Sequence, residues 1–414
     1  MPWLRSLLFL ACAASVADAG DWPQWLGPKR DGASAEKVAA WKEAPKAAWR
    51  ADVGPGFSVP VVAAGRCFVH ARVPDKDAEE VIALDARTGK ELWRKSYDRA
   101  PFVSVINTGP QATPSVVKGR VYTYGITGVL SCYAAEDGKQ AWQIDVFKSL
   151  KVEMPRFGAT SSPLVVGNRV LVAVGGKGSA VVAFDTDSGE VAWKALDGPI
   201  STASPIVYLN KSKKAEASLE AVFINNRSLV ALEPFDGAVS WEHPLSEQPV
   251  GTSPSPVVAG DLLLASSAYE GGVGVRLTHQ DGKTTAAEAW KNANLSGYFS
   301  TPVACGTDYI YMVTTQSKPQ PAATLRCIEV KGGKELWSQP KVGFFHAGLL
   351  RTGDNGLLLL DDSGNLRLLA HDPKGYRELA KARVCGSTFV TPALANGRLY
   401  VRDNKGVACI PLGE

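Results

Sequence analysis

A phrase of eleven residues recurs along the chain and constrains its fold more than any other feature. Its clearest copies are residues 83–93, ALDARTGKELW, and residues 183–193, AFDTDSGEVAW. Looser copies keep a glycine before the closing tryptophan, one copy is stretched, and a degenerate copy keeps Gly375 but has Leu379 in place of tryptophan. The closing residues are Trp93, Trp142, Trp193, Trp241, Trp290 and Trp337, and Trp49 stands alone near the start. Neighbouring copies are separated by about the length of one four-stranded sheet.

A second phrase precedes these copies by about 30 residues. It consists of a small residue, any residue and a proline, followed by an apolar run. The copies are residues 58–60, 112–114, 161–163, 203–205, 254–256, 300–302 and 390–392, and residues 346–348 fill the remaining slot without the proline. Proline is tolerated where a strand begins, because its missing N–H costs least there. The chain therefore contains eight strand openings.

The physics of one repeat predicts a closed ring. In the segment from Asp85 to Gly89 the aspartate can bond local backbone and the glycine can take a positive φ, as tight turns require. A tryptophan on the last strand of a sheet can fill the wedge between neighbouring sheets. One sheet cannot bury both of its faces alone, so the sheets must stack around an axis. We predict an all-β, eight-bladed β-propeller of four-stranded antiparallel blades.

The two ends of the chain complement each other. The last repeat lacks a fourth strand and a tryptophan, whereas residues 46–53, with Trp49, form a fourth strand that has no blade of its own. Pairing the two closes the circle and removes both sheet edges. We therefore place the propeller at residues 46–414, behind an N-terminal extension at residues 20–45.

Residues 1–19 have the pattern of an export signal. Arg5 supplies the positive charge, residues 7–16 form a short apolar run, and residues 17–19 form a small-x-small cleavage site. The run is too short to span a bilayer, and no other stretch approaches that length. The alternative, a lipid anchor on Cys12, would need an unusually short apolar run before it. We expect a periplasmic or secreted bacterial protein without a transmembrane segment.

The phrase that ends at Trp93 and its copies resemble the tryptophan-docking repeat of the PQQ-like β-propellers, over essentially all of the mature chain. One branch of that family consists of quinoprotein dehydrogenases, which hold pyrroloquinoline quinone (PQQ) and calcium on the axis. The other is non-enzymatic and includes the outer-membrane assembly lipoprotein BamB. The dehydrogenases cover the quinone with a disulfide of adjacent cysteines, and no two cysteines are adjacent here. The resemblance therefore favours a BamB-like scaffold without a cofactor, and PQQ with calcium is the alternative.

Other function classes find little support. The formal charge of +4 gives no case for nucleic-acid binding, which needs a concentrated basic surface. The five histidines are scattered, without metal-ligand spacing, and no nucleophile motif or phosphate-binding loop occurs. Six cysteines follow the predicted signal, and four lie in apolar strand runs, where cysteine acts as a small hydrophobic residue. Their pairing stays open. No residue is assigned as catalytic, metal-binding or cofactor-binding.

The residues just before the eight openings suggest a binding surface. In repeats two to five they are polar, whereas repeats six, seven, eight and one carry phenylalanine, with Tyr298 beside them. The phenylalanines are Phe57, Phe299, Phe345 and Phe389. These rings either plug the funnel of the propeller or form a half-apolar mouth that grips a peptide or protein, since interface cores favour aromatic residues. Arg156, on a long loop between blades, is a further candidate contact. We expect a monomer with a protein partner in the cell envelope.

Overall fold

The computed structural model describes residues 20–104, 107–210, 219–225, 227–247, 252–280, 282–316 and 322–412. The predicted signal peptide lies outside these residues. Eight four-stranded sheets account for all the strands described, and each pair of neighbouring strands is antiparallel. This arrangement confirms the predicted eight-bladed propeller.

Each blade runs from an innermost to an outermost strand. Blade 1 contains β2 (Val61–Ala63), β3 (Arg66–Arg72), β4 (Ala78–Asp85) and β5 (Glu91–Asp98). Blade 2 contains β6 (Ser115–Val117), β7 (Arg120–Tyr124), β8 (Val129–Ala134) and β9 (Gln140–Asp145), followed by the short helix α1 (Val146–Leu150). Blade 3 contains β10 (Leu164–Val166), β11 (Arg169–Ala173), β12 (Val181–Asp185) and β13 (Val191–Ala195). Blade 4 contains β14 (Ile206–Leu209), β15 (Leu219–Ile224), β16 (Ser228–Leu232) and β17 (Val239–Pro244).

The second half of the ring repeats this order. Blade 5 contains β18 (Val257–Ala259), β19 (Leu262–Ser267), β20 (Gly271–Gln280) and β21 (Lys283–Asn292). Blade 6 contains β22 (Val303–Cys305), β23 (Tyr309–Gln316), β24 (Ala322–Glu329) and β25 (Glu335–Gly343). Blade 7 contains β26 (Ala347–Arg351), β27 (Gly356–Asp361), β28 (Asn365–Ala370) and β29 (Glu378–Arg383). Blade 8 contains β30 (Ala393–Ala395), β31 (Arg398–Asp403), β32 (Gly406–Pro411) and, as its outermost strand, β1 (Trp49–Ala51).

Ring closure follows the predicted pairing of the two ends. Trp49 pairs with Cys409 and Ala51 with Val407, so the N-terminal strand completes the last blade. The strand is shorter than the predicted segment 46–53, since only residues 49–51 join the ladder. The outer edge of β32 is thereby paired, and the two ends of the chain are joined in one sheet, as in other closed β architectures.

A β-bulge sets the position of the docking tryptophan in blades 1 to 6. In blade 1, Trp93 pairs with Ala83 and Glu91 with Leu84, so Leu92 is left out of the register. Corresponding shifts between the third and fourth strands occur in the six blades that follow. A bulge turns one side chain out of step with the pleat. Here it directs the indole into the gap between blades.

The hydrophobic core lies between the blades. One buried cluster joins Val61 and Trp93 of blade 1 to Val121 and Tyr133 of blade 2, and similar clusters occupy the other gaps. The largest cluster spans blades 7, 8 and 1 and includes Trp22 of the N-terminal extension. Within the described ranges no helix is long and apolar enough to cross a membrane.

The strand order gives the ring two different faces. One face, which we call the mouth face, carries the loops that enter the innermost strands and the turns between second and third strands. The opposite face, which we call the turn face, carries the turns between first and second strands and between third and fourth strands. The aspartate–glycine turns of the repeat, such as residues 85–89, therefore lie on the turn face, and the four phenylalanines before the openings lie on the mouth face.

Candidate functional site

A belt of hydroxyl groups surrounds the axis at the strand openings. The backbone N–H of Val59 donates to Thr113 Oγ1 in the next blade at 3.1 Å, and Thr113 N–H donates to Ser162 Oγ at 3.0 Å. The same link joins Ser162 to Ser204 at 2.9 Å and Ser255 to Thr301 at 3.1 Å. In these four links the middle residue of an opening accepts through its hydroxyl group, and that residue is serine or threonine in six of the eight openings. That regularity is the sequence signal for the belt.

The N-terminal extension folds across the turn face. We call residues 20–36 the strap. The strap pairs with blade 1 through Trp22 and Val62, whose backbone bonds are 2.8 and 2.9 Å, and Pro23 O accepts from Val116 N–H of blade 2 at 2.8 Å. The indole N–H of Trp25 donates to Ser255 Oγ of blade 5 at 2.9 Å. The strap thus spans the axis from one side of the ring to the other.

The far end of the strap reaches the last blades. Gly32 lies so close to blade 6 that a Cβ on it would stand 2.8 Å from Val303 Cγ1. Gly32 O accepts from Arg351 N–H of blade 7 at 2.8 Å. The Glu36 carboxylate accepts from Asn396 N–H and Gly397 N–H of blade 8, each at 2.6 Å. With Arg30 on blades 3 and 4, the strap contacts every blade.

Arg30 anchors the middle of the strap. Its guanidinium is buried and donates to Pro205 O at 2.8 Å, Pro163 O at 3.1 Å and Ser162 O at 3.3 Å, and also to Gln24 Oε1 at 3.2 Å. These acceptors are neutral, and burial lowers the pKa of Arg30 to about 9. The side chain therefore remains charged at neutral pH and is held by carbonyl dipoles. Arg30 ties blades 3 and 4 to the strap.

The mouth face holds a cluster of aromatic rings. Five predicted residues, Phe57, Tyr298, Phe299, Phe345 and Phe389, form a connected set. Ring centroids are separated by 5.9 Å for Phe57 and Phe389, 6.1 Å for Phe299 and Phe389, and 6.4 Å for Phe299 and Phe345. Phe344 adds a sixth ring, 5.8 Å from Phe345. We call these six residues the ring cluster.

The ring cluster is only partly covered. Phe344 is 60% exposed and Phe389 42% exposed, while the other four rings are half-buried. Rings that served only as core would be largely excluded from water. The ring cluster therefore forms a partly exposed apolar surface at the mouth.

The other half of the mouth is polar, and its side chains form hydrogen bonds with one another and with nearby backbone. Thr160 Oγ1 donates to Thr202 O at 3.3 Å, and Thr202 Oγ1 lies 3.0 Å from Ser253 Oγ and 2.8 Å from Thr252 O. These three residues precede the openings of blades 3 to 5 and are half-buried, as is Gln111 before blade 2. The mouth therefore has one aromatic half and one half lined by polar side chains.

Arg156 lies apart from the ring cluster. It is exposed on the loop between β9 and β10, and its guanidinium stands 5.5 Å from the ring centroid of Phe157. Phe157 is itself 40% exposed. The structure thus brings together five of the six predicted mouth residues and places the sixth on a loop of the same face, between blades 2 and 3 on the other side of the axis.

The docking tryptophans lie between blades, each against the blade that follows. Indole N–H groups donate to a turn carbonyl of the next blade at 2.8–3.1 Å for Trp49, Trp93, Trp142, Trp193, Trp290 and Trp337. Trp241 differs, because its N–H donates to Glu220 Oε2 of its own blade at 2.8 Å. In blade 5 the turn that would receive it is replaced by the long hairpin of β20 and β21, and an added Cβ on Gly282 would contact nothing within 4 Å.

Two buried histidines remain neutral in the folded protein. His346 occupies the first position of the seventh opening, where other repeats have small residues, and lies 6.1 Å from the Phe389 ring. Its Nδ1 is 3.1 Å from Ser300 Oγ, and burial lowers its pKa to about 4 despite nearby Asp362. His70, in blade 1, bonds Tyr97 OH at 2.8 Å, and burial lowers its pKa to about 3. Neither is poised for acid–base work near neutral pH.

The residues present do not fit PQQ with calcium. The six cysteines of the described chain are free and buried, so none forms the disulfide that would cover a quinone. Within the described ranges no group of three or more histidine, cysteine, aspartate or glutamate side chains could hold a metal ion. Around the mouth, the residues before the openings offer hydroxyl groups, an amide and phenyl rings in place of carboxylate ligands. Calcium prefers six to eight oxygen ligands that include carboxylates.

The blades, their docking tryptophans and the closing strand define a propeller of the PQQ-like repeat class. The chain belongs to the family of the outer membrane protein assembly factor BamB, whose sequence model matches residues 32–108 and 77–339. BamB of Burkholderia pseudomallei is 24% identical, over 97% of this chain and 93% of that protein. The crystal structure of BamB from Moraxella catarrhalis superposes with a TM-score of 0.59 at 15% identity, covering 87% of this chain and 99% of that one.

Quinoprotein dehydrogenases share the same fold. A europium-containing methanol dehydrogenase superposes with a TM-score of 0.66 at 13% identity, over 92% of this chain and 89% of that one. The quinohemoprotein alcohol dehydrogenase ADH IIB of Pseudomonas putida is 32% identical over 135 residues, which are 30% of this chain and 18% of that enzyme. The chain thus matches less than a fifth of that enzyme's length. These likenesses establish the fold that both branches share.

Proposed function

We propose that this chain is a protein-binding scaffold of the bacterial cell envelope and that its mouth face is the binding surface. The observation that carries the proposal is the ring cluster, in which six aromatic rings meet at the mouth and two of them are more than 40% exposed. Aromatic residues gathered on a rigid scaffold are typical of the energetic centre of a protein interface. A role in outer-membrane protein assembly is the finer proposal, supported by membership of the BamB family.

The strap supports the choice of face. It covers the axial end of the turn face, where Trp22 is buried, and its Arg30 reaches from there to the backbone of the strand openings, so that end is already occupied by the chain itself. The mouth face also carries the exposed apolar side chains Val103, at 93%, and Tyr269, at 76%. Loops on a rigid scaffold are common sites of recognition. A partner would therefore meet the mouth face.

The export pattern in residues 1–19 and the family membership together support a periplasmic location. We propose a monomer that is free of its own cofactor and is not anchored through Cys12. The alternative of a quinone ligand has the support of the local match to the quinohemoprotein enzyme. A titration with PQQ and calcium, followed by absorbance, would show saturable binding under that alternative.

Capture from a native envelope extract tests the scaffold. The bait is the chain from Gly20, compared with a variant that carries Phe299→Ala and Phe345→Ala. A matched control carries Leu92→Ala and Leu336→Ala, which remove exposed apolar side chains from outer strands on the rim of the ring. We expect a partner that is lost with the phenylalanines and retained with the leucines. Equal capture by all three baits would reject the mouth as the binding surface.

A further inference from the structure

Two neighbouring loops on the mouth face carry most of the positive charge near the polar half of the mouth. We call them the basic loops, residues 146–163 after β9 and residues 174–180 between β11 and β12. They touch each other, because a Cβ on Gly176 would stand 3.1 Å from the methyl groups of Val152. Gly175, Gly176 and Gly178 all have positive φ values, of 93°, 91° and 66°, so the second loop has a shape that favours glycine.

The cations of the basic loops are free. Lys148, Lys151, Arg156 and Lys177 are exposed, and none of them forms an ion pair with another described residue. The one acid within the same loops is Glu153, which is also exposed, so the two loops carry four exposed cations and one exposed carboxylate. Two acids at the base of the loops are exposed but bonded to backbone. Asp145 accepts from Lys148 N–H at 3.1 Å, and Asp197 accepts from Gly178 N–H at 2.6 Å.

The basic loops and the ring cluster lie on one face, on opposite sides of the axis. The ring cluster belongs to blades 6, 7, 8 and 1, and the basic loops belong to blades 2 and 3. Thr160, at the inner end of the first basic loop, and Thr202, before the opening of blade 4, have hydroxyl groups that are bonded within the mouth. A segment laid across the mouth would meet aromatic rings at one end and cations at the other.

The turn face carries charges of both signs. Its turns between third and fourth strands begin with acids in several blades, among them Asp85, Asp185, Glu233 and Glu329. Asp85 and Asp185 bond their own turns, which lowers the pKa of both carboxyls and keeps them ionised. The same turns also carry cations such as Arg87, Lys90 and Lys331, so acids and cations alternate there, whereas the basic loops can attract an acidic ligand through four exposed cations.

We infer that the mouth takes an acidic peptide segment that also carries aromatic or long aliphatic side chains. The apolar side chains lie on the ring cluster, and the carboxylates face Lys151, Arg156 and Lys177. This inference rests on the proposed function, because it names the chemistry of the partner that the mouth would bind. It goes further in requiring that affinity depend on the partner's negative charge.

Three labelled peptides of about 14 residues, roughly 46–50 Å long when extended, test the inference. All three share the same phenylalanine and leucine positions, and the remaining positions are glutamate, glutamine or lysine. Binding to the full chain is followed by fluorescence anisotropy at low salt and at about 0.3 M salt. We expect the glutamate peptide to bind about tenfold more tightly than the glutamine peptide at low salt. Screening at the higher salt concentration should reduce that advantage.

Three variants separate the contribution of the basic loops to peptide affinity from that of the ring cluster. Lys151→Gln with Lys177→Gln should remove the advantage of the glutamate peptide and leave the glutamine peptide unchanged. Lys139→Gln with Lys374→Gln makes the same charge change on the turn face. This control should change the affinity of neither the glutamate peptide nor the glutamine peptide. Phe299→Ala with Phe345→Ala should weaken both peptides.

Three outcomes would overturn the inference. Equal binding of the glutamate and glutamine peptides would leave the scaffold proposal standing but remove its charge requirement. Tighter binding of the lysine peptide than of the glutamate peptide would show that the mouth prefers a positively charged partner, which contradicts the inference. If no peptide binds, the inference fails, and capture from the envelope extract decides separately whether the mouth binds a protein.

Discussion

The indole of Trp49 lies directly on Gly89, and a Cβ added to that glycine would stand 2.6 Å from Trp49 Cδ2. The same relationship links Trp93 to Gly138, Trp142 to Gly189, Trp193 to Gly237 and Trp290 to Gly333. Each of these glycines also has a positive φ. The glycine of the repeat therefore serves two purposes at once, since it shapes a turn and gives the preceding blade's indole room to dock.

We expect Gly89→Ala to lower the free energy of unfolding by about 2–4 kcal/mol, because it combines backbone strain with a clash against the Trp49 ring. Gly65→Ala is the matched control, since Gly65 has a similar φ of 73° but nothing within 4 Å of an added Cβ. It should cost about 1 kcal/mol from backbone strain alone. Chemical denaturation of both variants measures the difference, and equal losses would show that the indole contact is unimportant.

Replacing the strap anchor should loosen the strap. Arg30→Met leaves the carbonyl oxygens of Ser162, Pro163 and Pro205 without their donor, and we expect a loss of about 2–4 kcal/mol. Lys29→Met removes the same charge from an exposed side chain. Its free energy of unfolding should stay within about 0.5 kcal/mol of that of the unchanged protein. Denaturation curves and proteolysis of the exposed segment around residues 39–44 report the change. Identical digestion of both variants would contradict an anchoring role for Arg30.

The hydroxyl belt predicts a difference between two threonines. Thr113→Val removes the acceptor of the buried Val59 N–H, and we expect a loss of about 1–3 kcal/mol. Thr391 holds the same position in blade 8, but the preceding blade's Ala347 N–H donates to Ser300 Oγ instead. Thr391→Val should therefore cost less than about 0.5 kcal/mol. Thermal unfolding of the pair tests the belt, and a Thr391 variant as unstable as the Thr113 variant would count against it.

Acid should destabilise the protein partly through His346. Its folded pKa of about 4 lies below the ordinary value of 6.5, so the unfolded chain binds this proton at a pH where the folded chain does not. The free energy of unfolding should therefore fall as pH decreases from about 6.5 to about 4, by up to about 1.4 kcal/mol per pH unit from this residue. Stability of His346→Gln, measured over the same range, should show a shallower slope. Parallel curves for the two proteins would mean that His346 does not titrate as described.

Local chemistry made much of the fold predictable. The turn from Asp85 to Gly89 and the strand that ends at Trp93 are specified within eleven residues, so their repetition indicates the blade, the number of blades and the closing role of Trp49. The four phenylalanines could be found because each stands at one position of the repeat. The Trp241 contact could not, because it depends on the long hairpin in blade 5 and on Glu220.

Short-range spacing and residue type were enough to predict the repeat, the ring and the aromatic half of the mouth. The tertiary structure alone decided where the extension goes, because Arg30 meets Pro163 and Pro205 across 133 and 175 residues and Glu36 meets Asn396 across 360. Contacts over such separations exist only once the ring has closed. Closure brings all eight innermost strands around one axis, where a single short strap can touch every blade.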